Sequence, residues 1–123
     1  MANNLTRGQP AAYERCESHC FTDTHGVLVS TMINVPSYCV VKVLGTVYGL
    51  SVRARNALAG GELGEFTKLL YSSRDQSVER MLGECMSRNG NAIIAMKFDT
   101  SELMGFAQVC ACGTACIVET IEE

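Results

Sequence analysis

The chain has 123 residues, 47% of them hydrophobic and 19% charged, with a formal net charge of -3. That length suits one domain with one core. The ten basic residues are scattered, which excludes a phosphate-backbone footprint for DNA or RNA. No apolar run approaches the roughly 20 residues of a bilayer span, so no membrane partner is expected. So low a charge content on a small domain implies that partner subunits close some apolar surface.

Residues 1–26 read as an N-terminal extension. Its first residues are polar, and Pro10 suits the first turn of a helix. From residue 11 to about 21 the spacing is helical: Ala12, Tyr13, Cys16, His19 and Cys20 share one face. Arg7, Glu14, Arg15 and Glu17 without an apolar core argue against a signal peptide. With seven cysteines, an odd number, this favours reduced thiols and a cytoplasmic location over a disulfide framework.

Residues 22–26 are polar and turn-like, and residues 27–29 form a short β-prone run. Pro36 and Ser37 mark a turn. Residues 38–50 then alternate as a strand, with Cys39, Val41, Val43 and Val47 in phase. Gly45 and Gly49 within it suggest a bulge or a close backbone approach. Residues 51–58 are compatible with a helical turn, which Ala59-Gly60-Gly61 breaks.

Residues 62–88 are the clearest helix, with a stripe of Leu63, Phe66, Leu70, Val78, Met81, Leu82 and Cys85. Glu62 and Glu65 complement its positive end, and Asn89-Gly90 is a C-terminal stop. Residues 92–98 read as a buried strand, 99–105 as a hairpin connection and 106–118 as a last strand. Residues 119–123 form an acidic tail. The predicted fold class is α+β: two layers, an antiparallel or mixed sheet and one long helix. A single helix covers one face of such a sheet, so the other face needs a neighbouring subunit.

Two groups of residues could bind metal. In the last strand, alternation puts Cys110, Cys112, Thr114 and Cys116 on one face. Same-face neighbours stand roughly 6.5–7 Å apart, too far for two thiolates on a flat strand to share tetrahedral zinc at about 2.3 Å. A twist, a bulge at Gly113, or a thiol from elsewhere would be needed. A ring of copies would instead repeat these sulfurs around its axis, which suits soft ions such as Cu(I). The alternative is that all three are small buried hydrophobes. The second group is Cys16, His19 and Cys20, with His25 just beyond to complete a zinc-like set. Its alternative is a docking helix with His19 at the rim.

Cys39 and Cys85 fall on apolar faces. Neither has a histidine close in sequence, so thiol catalysis is unsupported. The glycines at 60, 61 and 64 lack the lysine and hydroxyl residue of a phosphate loop. The paired acids read as solvated faces, with Asp99 the one to watch because it follows a buried strand. No catalytic constellation emerges, and no enzyme activity is expected.

Taken together, several motifs resemble the YbjQ family, whose suggested role is heavy-metal binding. They are Gly45-Thr46-Val47-Tyr48-Gly49 followed by Gly60-Gly61 and Gly64; Arg74 and Glu79; Asn91-Ala92-Ile93-Ile94 followed by Asp99; and Gly113-Thr114-Ala115. The similarity runs over residues 27–118. It implies a dodecin-like subunit and a pentameric ring, with sheets toward the axis and helices outside. The chain departs from the family in its N-terminal extension and in the last-strand cysteines, where relatives carry serine or an aliphatic residue. The resulting expectation is a non-enzymatic homo-oligomeric ring, with zinc or copper as the ions its cysteines would suit. The alternative is a scaffold ring that binds a small ligand or a protein, its cysteines inert.

Overall fold

In the computed structural model, residues 22–54 and 63–121 are described. The elements run β1 (Leu28–Val29), β2 (Tyr38–Ala54), α1 (Leu63–Ser87), β3 (Ala92–Leu103) and β4 (Phe106–Thr120). All four strands join one mixed sheet in the order β1-β3-β4-β2. β1 pairs parallel with β3, while β4 pairs antiparallel with both β2 and β3. The helix lies on one face, chiefly over β2 and β4.

Strand β2 is longer than the sequence suggests. Residues 51–54 continue the strand instead of turning helical. The pairing explains the extension: Ser51, Val52, Arg53 and Ala54 sit opposite Val109, Gln108, Ala107 and Phe106. The Ser51 hydroxyl also donates to Oε1 of Gln76 on the helix, at 2.7 Å. Long-range pairing here overrides a local pattern that was ambiguous. Residues 55–58 lie outside the described residues, as does the break at residues 59–61.

Gly45 and Gly49 do different jobs in β2. Gly45 sits at a register shift with φ 111°, a region that favours glycine. At Gly49 the helix backbone comes so close that a Cβ would stand 2.0 Å from the Ser77 carbonyl oxygen and 2.6 Å from the Met81 nitrogen. Ser51 on β2 and Ser73 and Ser77 on the helix are fully buried, and they are small enough to permit this approach. Ser77 donates back to the Arg74 carbonyl, whereas the Ser73 hydroxyl finds no partner among the described residues.

The predicted helix stripe closes the core. Val78, Met81, Leu82 and Cys85 are buried against Val47, Ile93, Ala111 and Ala115. The helix stops at Ser87, and Asn89 takes a left-handed conformation (φ 64°) of the kind asparagine tolerates at a helix end. Arg80 and Arg88 reach from the helix to the outer edge of β2. Arg80 donates to the Leu50 carbonyl, and Arg88 donates to the carbonyls of Thr46 at 3.1 Å and Leu44 at 3.5 Å. These guanidinium groups satisfy carbonyls that an edge strand otherwise leaves open.

The final hairpin is also tighter than expected. β3 runs to Leu103 and β4 starts at Phe106, so the connection is only Met104-Gly105. Both residues have positive φ, 53° and 82°, as in a two-residue type I′ turn. Thus residues 99–103 are strand, and Glu119 and Thr120 extend β4 into what reads in sequence as a tail.

Candidate thiol site on the open sheet face

The two faces of the sheet have opposite surroundings. On the helix face, Val47, Gly49 and Ser51 of β2 and Ala107, Val109, Ala111, Gly113 and Ala115 of β4 are buried. On the other face, Tyr48, Leu50, Val52 and Phe106 stand exposed, at 63%, 42%, 52% and 50%. Cys110 and Cys112 lie in the middle of that open face. Cys110 is flanked by Leu50 on β2 and Asp99 on β3; Cys112 is flanked by Tyr48 and Lys97. Strand alternation alone therefore places these two thiols.

β4 has no kink at Gly113. The irregularity lies opposite it, on β3, where the register jumps between Ile94 and Lys97 and Ala95 has φ 55°. A Cβ at Gly113 would stand 2.6 Å from Cγ2 of Ile93, so glycine here makes room for the bulged neighbour and does not bend its own strand.

Cys110 and Cys112 are half-buried. The Cys110 Sγ leans along the strand toward the Ala111 carbonyl, 3.9 Å away. Burial pushes the Cys110 thiol up, with smaller upward contributions from Cys112 and Asp99. Cys116 faces the same way but lies further along, in a second small cluster with Ala92 and Val118 under Leu28, Tyr38 and Ile94. It is fully buried, and that burial raises its pKa. Cys85 is buried in the main core, and its Sγ donates to the Ala92 carbonyl at 3.6 Å. Burial pushes its pKa up. Cys39 is exposed on β2.

Of the second predicted group, Cys16, His19 and Cys20 lie outside the described residues. His25 is described, at φ 55°. Its Nδ1 lies 3.7 Å from Asp23 and its Nε2 3.7 Å from Glu79 on the helix. Beside it, the Thr22 hydroxyl donates to Asp75 at 2.7 Å. Residues 22–25 are thereby held against α1, a contact no local pattern in the sequence could reveal. Among the described residues, no three His, Cys, Asp or Glu side chains come together as a metal-binding group. No helix among them is long and apolar enough to cross a membrane.

Fold and site together define an α+β domain with one helix-covered sheet face and one thiol-bearing open face. The family described as "Putative heavy-metal-binding", YbjQ, matches residues 27–119. The chain belongs to this family. A UPF0145 protein of Acidothermus cellulolyticus is 40% identical over 108 residues, 79% of this chain and 100% of that protein. The UPF0145 protein YjfJ of Lactococcus lactis is 36% identical over 105 residues, 77% and 97% of the two chains. A crystal structure from Pediococcus pentosaceus, of a protein of unknown function in the DUF74 family, superposes with a TM-score of 0.60. It covers 76% of this chain and 99% of that one at 19% identity, a likeness of fold alone.

Proposed function

We propose that this chain is a non-enzymatic, self-assembling protein, a dodecin-like subunit of a pentameric ring, that binds a transition or heavy metal through its cysteines. The observation that carries the reading is the open sheet face. Tyr48, Leu50, Val52 and Phe106 form an apolar band that the single helix leaves uncovered, and bands of this kind are normally closed by partner surfaces. The half-buried thiols of Cys110 and Cys112 sit within that band, so assembly would enclose soft donors in an apolar setting. The description of the family supports the metal part.

Sedimentation equilibrium of the 13.3 kDa chain tests the assembly; a folded monomer at high concentration refutes the ring. Metal analysis of untagged, reduced protein tests the second part. Less than about a tenth of an ion per subunit after zinc or copper supplementation refutes metal binding. The rival reading, a scaffold ring with inert thiols, draws on the full burial of Cys85 and Cys116. It predicts unchanged assembly and function when Cys110, Cys112 and Cys116 are all changed to serine.

A further inference from the structure

We infer that Cys110 and Cys112 of a single subunit form a two-coordinate site for a soft monovalent cation of the Cu(I) or Ag(I) class. The inference deepens the metal-binding reading above and rests on it. Three features of the open face support it.

The first is donor number. No group of three His, Cys, Asp or Glu side chains is assembled among the described residues, which disfavours a tetrahedral zinc site. A soft monovalent ion needs only two sulfurs, arranged linearly, and thiolates are the donors that select it. The second feature is spacing. Same-face neighbours on a strand lie roughly 6.5–7 Å apart at their Cα atoms. A linear S–M–S unit spans about twice one metal–sulfur bond, or ~4.5 Å for a bond near ~2.3 Å. Side chains leaning toward each other along the strand meet that span. The Cys110 Sγ already leans toward Ala111, the residue between the two cysteines. Cys116 is excluded by its burial in the separate cluster with Ala92 and Val118.

The third feature is charge. Both thiols lose their protons to solvent as the ion binds, so two thiolates and one monovalent cation leave a net charge of minus one. Lys97, the direct cross-strand partner of Cys112, supplies a cation beside that complex. Asp99, the cross-strand partner of Cys110, places a carboxylate at the other end of the pair from Lys97. The flanking Tyr48 and Leu50 limit access by competing hard ligands.

The test is anaerobic titration of the reduced full-length chain with Cu(I) against a chromophoric chelator, read with X-ray absorption. The expected result is one ion per chain in a sulfur-only, two-coordinate environment. Cys110→Ser and Cys112→Ser should each weaken binding by about a hundredfold or more, because each removes half of the ligands. Cys39→Ser and the double change of Cys16 and Cys20 to serine should leave it unchanged. Protection of Cys110 and Cys112 from alkylation by bound Cu(I), mapped by peptide mass, gives the same answer on the unaltered protein. Binding that survives both single variants, or is lost with Cys16 and Cys20, overturns this site while leaving thiol-based metal binding intact. A three-sulfur shell also overturns it. If the unaltered chain takes up no Cu(I), this site is overturned, and the metal-binding reading falls as well if zinc supplementation also leaves no ion.

Discussion

The two faces of β4 differ by one residue in phase and in almost everything else. Val109, Ala111 and Ala115 are fully buried under the helix, while Cys110 and Cys112 look out from between exposed Leu50 and Tyr48. The helix face is packed so closely that backbone meets backbone at Gly49. The open face is apolar without being packed. One face holds the fold together; the other is left open.

Substitutions separate the two roles. The largest effect is expected from Gly49→Val, which places a branched side chain into the Ser77 and Met81 backbone. It should destabilise the fold by about 3 kcal/mol or more in urea unfolding, or abolish folding. Leu82→Ala, at 0% exposure in the same layer, should cost about 2–5 kcal/mol by leaving a cavity. On the open face the expectation reverses. Tyr48→Ser with Val52→Ser should leave the circular dichroism of the subunit unchanged while lowering its sedimentation coefficient. A loss of helix in that variant would show that the open face also holds the fold.

Acid–base behaviour sharpens the contrast between thiols. Burial raises the pKa of Cys85 and Cys116 from the ordinary value of 9.0. In the unfolded chain these thiols ionise first as pH rises, so the unfolded state then binds fewer protons. Stability is therefore full below the ordinary thiol pKa and falls as pH climbs from there toward the raised values. Unfolding followed by circular dichroism should show this decline, and Cys116→Ala should make it shallower.

The smallest effects concern local chemistry. Met104 takes a left-handed turn conformation that asparagine adopts more readily. Met104→Asn should raise stability by about 0.5–1 kcal/mol. Ser73→Ala removes a buried hydroxyl without a partner among the described residues and should be neutral or stabilising by up to about 1 kcal/mol.

The sequence by itself determined the elements whose signal is periodic. The stripe of Val78, Met81, Leu82 and Cys85 specified the helix and its buried side, since the period of 3.6 needs no knowledge of neighbours. Alternation in β4 likewise put Cys110 and Cys112 together on one face, and a single helix implied one uncovered face. Only the tertiary structure decided features that depend on residues far apart in the chain. Pairing with β4 drew residues 51–54 into β2, and pairing across the hairpin shortened the turn to Met104-Gly105. The bulge fell not at Gly113 but on β3, where the Ala95 and Met96 N–H groups turn to the Met32 and Ser30 carbonyls of the loop after β1. Cys116, unlike the other two thiols, was buried in a cluster that Tyr38 and Leu28, from elements early in the chain, pack against. Periodicity records which side a residue faces; what waits on that side is set by contacts the local pattern does not contain.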